Sequence, residues 1–294
     1  MIPPRIVLAA VDFSPGARAA LDFAARLGTQ YAADLHVLHA VPAPLLQAAQ
    51  RAKHDLRAEM LEELHRILIE TAPAAAASAH CHVIEGEIAN VILDIAARER
   101  ADVIVIGENG MSNAEWPGLG STVEDVLRRT AISMFVVPTA WQPPDRERAD
   151  LAGAGPIMAG VDMTCPAIEA AAAGCRLAAP LKTTVMMLHA VPPPQTLARW
   201  QSYATAVASA EFERSRVDFE RVAKAVRVRS PVPTTFATAR GDVAGVLAQQ
   251  ARLHPYGMVV LGRASCPHDY GPPGSIVARM LLLGRVPVLM HIGE

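Results

Sequence analysis

Aromatic side chains make up only 4% of the 294 residues. A chain so poor in Phe, Tyr and Trp has little material for the stacking platforms that hold single-stranded nucleic acid. Lysine is scarcer still: Lys53, Lys182 and Lys224 are the three in the chain, each preceded by Ala or Leu. A P-loop hydrolase needs its lysine after a glycine-rich loop, so that class is excluded. A two-component receiver is excluded with it, because it wants a lysine after its fifth strand and clustered acids after its first. Cys81, Cys165, Cys175 and Cys266 stand singly, with no C-x-x-C pair and no zinc-ligand spacing. They read as reduced thiols of a cytoplasmic protein. The apolar stretch from Ile276 to Met290 is broken by Arg279 and Arg285. It falls short of the roughly 20 apolar residues of a membrane span, so no membrane partner is expected. The opening Met1-Ile2-Pro3-Pro4-Arg5 is expected to carry no export signal, since no basic segment leads into a long apolar one.

Charge is nearly balanced, with 27 Lys and Arg against 29 Asp and Glu and a net charge of −2. That balance gives no basic excess for a phosphate-backbone binder, and nucleic acid is not an expected partner. The average hides an asymmetry: residues 1–140 carry net −6 and residues 156–294 net +5. Attraction between an acidic and a basic half is therefore expected to orient them.

What the chain has in quantity is Ala, Val, Leu and Ile, with hydrophobic residues at 51%. At about 100–200 residues per domain, the length suggests two cores. A repeat supports the division. Ala10-Val11-Asp12 recurs as Gly160-Val161-Asp162, and Leu38-His39-Ala40-Val41-Pro42 recurs unchanged as Leu188-His189-Ala190-Val191-Pro192. Gly86-Glu87-Ile88-Ala89 is answered by Gly241-Asp242-Val243-Ala244, and Ile104-Val105-Ile106-Gly107 by Val259-Val260-Leu261-Gly262. Collinear matches across a half-chain indicate a duplicated domain. The expected division is 1–140, a linker at 141–155 rich in Pro, Gly and charge, and 156–294.

Within the first copy, Ile6 to Val11 is a continuous apolar run, the pattern of a strand buried on both faces. Ser14 offers an N-cap and Pro15 a first helical position, with a stop expected at Gly28. Further strands are expected at 36–38, 80–84, 103–106 and 134–137, with helices at about 46–70, 88–98 and 122–129. Residues 71–78 read as a low-complexity loop. The second copy repeats the order, with strands near 157–161, 184–189, 234–238, 258–261 and 287–291. Alternation of strand and helix makes each copy an α/β, doubly wound, five-stranded parallel-sheet domain.

In such a sheet ligands lie beyond the carboxyl ends of the strands, where strand order reverses. Val11 and Asp12 end the first strand, Ala40 closes the second, Gly107-Glu108-Asn109-Gly110 follows the fourth, and Gly120-Ser121-Thr122 opens the next helix. A helix N-terminus offers unpaired N–H groups and a positive dipole end, and glycine admits a phosphate to the backbone. Ser121-Thr122-Val123-Glu124 is equally a capping box, in which Ser121 merely starts the helix. A dinucleotide fingerprint is absent, because Gly153-Ala154-Gly155-Pro156 precedes a strand and has no third glycine.

The spacing Gly107-x-x-Gly110, nine residues, then Gly120-Ser121 resembles the nucleotide signature of the universal stress protein family. Asp12 before Ser14, Leu38-His39-Ala40-Val41 and Gly86-Glu87-Ile88 are similar to that family's other landmarks, in its tandem two-domain form. The resemblance implies an adenine nucleotide alpha hydrolase-like fold and ATP, with or without Mg2+, as ligand. It places Val11 and Asp12 at the adenosine, Ala40 against the adenine, Gly107, Asn109 and Gly110 at the ribose and phosphates, and Gly120, Ser121 and Thr122 at the phosphates. It further implies pairing of domains through their fifth strands, Met134–Val137 and Val288–His291, giving an intrachain pseudo-dimer or a homodimer.

The second copy departs from this pattern. Ser265 stands where the second glycine belongs, only eight residues separate it from Gly274-Ser275, and Pro267, Pro272 and Pro273 interrupt the loop. Copy one is therefore expected to bind ATP and copy two weakly or not at all. No nucleophile, base and orienting group can be assembled, so no catalytic residue is assigned and at most slow hydrolysis is expected. His39 and His189 read as hydrogen-bonded structural residues. His80 and His82 share one face of a strand and could chelate, but no third ligand can be named and no metal is assigned. The helix around 211–229 reads as a mixed solvated face. The expected function is an ATP-binding regulatory protein of the stress response with an unidentified protein partner. The alternative is an interaction or chaperone-like protein with a vestigial loop.

Overall fold

The computed structural model describes residues 3–110, 119–193, 201–263 and 275–293. The first half contributes β1 (Ile6–Ala10), β2 (Asp34–Val41), β3 (His80–Glu85), β4 (Val103–Gly107) and β5 (Ser133–Val137). The second contributes β6 (Ile157–Gly160), β7 (Val185–Val191), β8 (Thr234–Arg240), β9 (Met258–Gly262) and β10 (Val288–His291). All ten form one sheet in the order β3-β2-β1-β4-β5-β10-β9-β6-β7-β8. Pairing is parallel within each half, and the halves join through antiparallel β5 and β10, with Phe135 opposite Leu289. The two expected fifth strands therefore lie side by side at the sheet centre.

Continuous apolar strands require cover on both faces, and the alternation of side chains divides it. Val7, Ala9 and Val11 face one layer with α1 (Pro15–Tyr31), α3 (Leu56–Thr71), α7 (Cys165–Leu181) and α8 (Gln201–Arg229). Leu8 and Ala10 face the other, with α5 (Ile88–Arg98), α6 (Ser121–Arg129), α9 (Val243–Leu253) and α10 (Ser275–Gly284).

Ser14 caps α1 by accepting from Ala17 N at 3.1 Å, with Pro15 in the first turn. The expected stop at Gly28 is not where α1 ends. The helix runs on to Tyr31, and Ala32 takes the left-handed conformation (φ 51°) while Ala33 N closes on the Gly28 carbonyl. The single helix expected at 46–70 is two, α2 (Ala43–Arg51) and α3. Lys53 turns left-handed (φ 60°) and Asp55 accepts from Ala58 N, so a new N-cap replaces the continuing helix. The loop expected at 71–78 holds the last residue of α3 and a single helical turn, α4 (Pro73–Ala76), because Pro73 suits the first position of a helix.

The 141–155 segment is strapped down rather than loose. Trp141 packs edge-on against Phe23 at 5.3 Å, Leu151 is buried, and Arg26 donates to the carbonyls of Asp145 and Arg148. The expected electrostatic docking of the halves is not observed: among the described residues every ion pair lies inside one half or within that segment. Strand pairing and bonds to carbonyls join them instead, such as Tyr31 Oη to Leu177 O at 2.7 Å. Charges on α8 are paired along the helix, Arg216 with Glu213 and Glu220, and Lys224 with Glu220. No helix of the described residues is long and apolar enough to cross a membrane.

Candidate functional site

Strand order reverses between β1 and β4, and a cleft opens there beyond their carboxyl ends. All nine residues named above line it: Val11, Asp12, Ala40, Gly107, Asn109, Gly110, Gly120, Ser121 and Thr122. They come from four separate stretches of chain, brought together by the crossovers of the sheet.

Three close approaches hold this geometry. Gly107 ends β4 against the first turn of α1, where a Cβ would stand 2.6 Å from the backbone of Gly16. A Cβ on Gly110 would meet Asp12 Oδ2 at 2.4 Å. Glu108 N donates to Val137 O, and the Glu108 carboxylate accepts from Thr139 N at 2.8 Å, so the strand-four loop is bound to the end of β5. Gly120 N then donates to Glu108 O at 2.9 Å, which seats the start of α6 on the same loop. Gly120 itself is the N-cap of α6, and no side chain caps it. The capping-box role expected of Ser121 is thus not observed. Ser121 sits one position further in and is exposed, because the Gly120 backbone supplies the helix entry that Ser121 would have made.

Asp12 Oδ1 accepts from Ser14 N at 3.1 Å, and Phe13 between them is left-handed, with φ of 66°. Such a conformation is uncommon for a bulky residue and clusters at ligand sites. Met163 repeats it in the second half with the same φ. His39 is buried and bonds the Val11 carbonyl through Nδ1 at 2.7 Å, as His189 bonds Val161 at 2.6 Å. Burial holds the His39 pKa below its ordinary value, against the pull of that carbonyl and of Asp12. Both histidines brace the turn after a first strand.

Sequence reasoning missed the apolar wall made by Leu38, Ile88, Ile92, Ile106 and Val123. Their helical and strand periodicity was visible, but periodicity marks a face as buried without telling core from cleft. Among the described residues the lining contains no Lys, Arg or His, and Asp12 is its one carboxylate. The cleft thus combines an apolar slot, one acceptor at its edge, and backbone donors at a helix N-terminus.

The second half differs. Asp162 Oδ1 accepts from both Thr164 N and Thr164 Oγ1, and Thr164, the N-cap residue of α7, makes no side-chain capping bond. Arg263 stands where the first half has Glu108, and its guanidinium crosses to the carbonyls of Thr130 and Arg128 at the end of α6. Ser265, Pro267, Pro272, Pro273 and Gly274 lie outside the described residues.

The doubly wound sheet and its switch-point cleft place the protein in the adenine nucleotide alpha hydrolase-like class of α/β folds. Residues 4–138 match the family model of the universal stress protein family. The first half of the chain thus carries a universal stress protein domain, and the ten-stranded sheet fits the tandem form. A universal stress protein from Archaeoglobus fulgidus DSM 4304 superposes with a TM-score of 0.68 at 14% identity, over 98% of this chain and 99% of that one. A functionally unknown protein from Pseudomonas aeruginosa PAO1 does so with a TM-score of 0.59 at 16% identity, over 98% and 92%. At these identities the likeness is one of fold. No curated protein matches the sequence.

Proposed function

We propose that this is an ATP-binding regulatory protein of the stress response, acting in the cytoplasm, with the nucleotide held by a first domain of residues 1–140. The 141–155 segment links it to a second domain, 156–294, that binds nucleotide weakly or not at all and completes an intrachain pseudo-dimer. The observation that carries this reading is the convergence of all nine candidate residues on one switch-point cleft. The apolar slot with small Ala40 suits a planar base, Asp12 suits a ribose hydroxyl, and the backbone around Gly110, Gly120 and Ser121 suits phosphates. Mg2+, if it accompanies ATP, would reach protein through Asp12 or through water. Among the described residues the lining holds no Lys, Arg or His, which supports occupancy rather than fast turnover as the signal.

The test is mass spectrometry of nucleotide carried through gentle purification, followed by calorimetry with ATP. The intact chain is expected to bind, and Gly110→Val, whose side chain would collide with the Asp12 carboxylate, is expected to lose binding. An empty cleft with no heat on ATP addition would leave the interaction-protein alternative in its place.

A further inference from the structure

His36 on β2, His82 on β3 and Glu99 at the end of α5 present ligand atoms that all lie within 4.8 Å of one another. His36 Nδ1 is 3.0 Å from His82 Nε2 and 4.0 Å from Glu99 Oε2. The parallel register that sets Leu38 beside His82 brings these rings onto one face of the sheet, stacked at 11°. His36 is buried, and the other two are half-buried. Arg98 holds Glu99 Oε1 from Nε at 2.8 Å, which turns Oε2 toward His36 and steadies the carboxylate as outer partners of metal ligands do. The carbonyl end of α5 adds a field that favours a cation.

We propose that His36, His82 and Glu99 form a site for one divalent transition-metal ion of the zinc type. Two imidazoles and a carboxylate are a set that zinc accepts with a fourth position left to water or an exchangeable ligand. Imidazole nitrogen selects zinc, cobalt, nickel or copper over magnesium and calcium. Ligand distances of about 2.0–2.2 Å put neighbouring donor atoms of a tetrahedron roughly 3.3 Å apart. The two nitrogens already stand near that spacing, and the Glu99 carboxylate, within 4.8 Å of both, closes to it by a shift of at most about 1.5 Å. Burial favours the neutral, ligating form of both rings. Glu99 is held in its ionised form by the bond from Arg98. The cluster sits toward the amino ends of β2 and β3, four residues from Ala40, or about 13 Å along the strand. It is therefore separate from the nucleotide cleft.

The test uses the full chain, stripped with a chelator and kept free of nucleotide, which would itself compete for metal. Calorimetric titration with Zn2+ is expected to show one equivalent bound, with a rise in thermal midpoint, and Co2+ is expected to give the visible bands of a four-coordinate site. His82→Ala and Glu99→Gln, each confirmed as folded by circular dichroism, are each expected to weaken Zn2+ binding by about tenfold or more. Should His82→Ala fail to fold, Glu99→Gln alone carries the comparison. Absence of Zn2+ binding by the intact chain would leave a His–His hydrogen bond only and overturn the proposal. Undiminished binding in the folded variants would overturn it equally.

Discussion

Two glycines set the shape of the cleft, each for a different reason. Gly110 leaves room for the Asp12 carboxylate, while Gly107 lets β4 run against the backbone of Gly16. A flexible side chain could move aside for a new methyl group; the α1 backbone cannot. Gly107→Ala is therefore expected to destabilise the fold by about 1–3 kcal/mol, the cost of overpacking a tight contact, as measured by urea unfolding. The glycine pattern was legible in the sequence as a nucleotide signature. The left-handed Phe13 was not, since nothing in Asp12-Phe13-Ser14 announces a positive φ at a residue that disfavours it. That conformation is imposed from outside, by the ring of His39 at 4.4 Å and the turn bonds to Asp12 and Ser14.

Among the elements, α6 is tied to both halves of the molecule. Its first turn faces the cleft, and its last carbonyls receive the Arg263 guanidinium from the second half. A cation at a helix C-terminus complements the dipole whose other end would meet phosphate. Arg263→Ala should lower stability by about 1–3 kcal/mol, the range for a charged hydrogen-bonded contact, seen as an earlier urea midpoint. Most element boundaries were readable from periodicity within a residue or two. The misreadings came where caps compete, at Gly28, at Asp55 and at Ser121. There, several residues could end or begin a helix, and tertiary contacts select one.

For the molecule as a whole, the junction of the halves is buried and carries no ion pair among the described residues. At one end of it His291 Nδ1 lies 3.1 Å from Ser133 Oγ, and burial, with Arg176 nearby, pushes the His291 pKa from 6.5 down to about 4. In the unfolded chain this ring takes a proton below pH 6.5; folded, it stays neutral until about pH 4. Between those values the unfolded state holds more protons, so stability rises with pH and is lost as pH falls through that window. At 1.36 kcal/mol per pKa unit the loss reaches about 3 kcal/mol for this group. His36, His39 and His82, also lowered by burial, act in the same direction. Urea unfolding followed from pH 7 to pH 4 is expected to show this decline, and His291→Asn is expected to flatten it.

Residue order alone determined the duplicated α/β architecture and the candidate cleft. Strand runs, helix caps and glycine spacing are local patterns repeated at a nearly constant offset, and local patterns survive without knowledge of distant contacts. Tertiary structure decided what depends on pairs far apart in the chain. It replaced the expected attraction of oppositely charged halves with a shared sheet, strapped 141–155 to Arg26, and sent Arg263 to α6. It also set His82 and Glu99 beside His36, from which they are separated by 46 and 63 positions along the chain. Such neighbours are made by strand register and crossover, which no single segment of sequence contains.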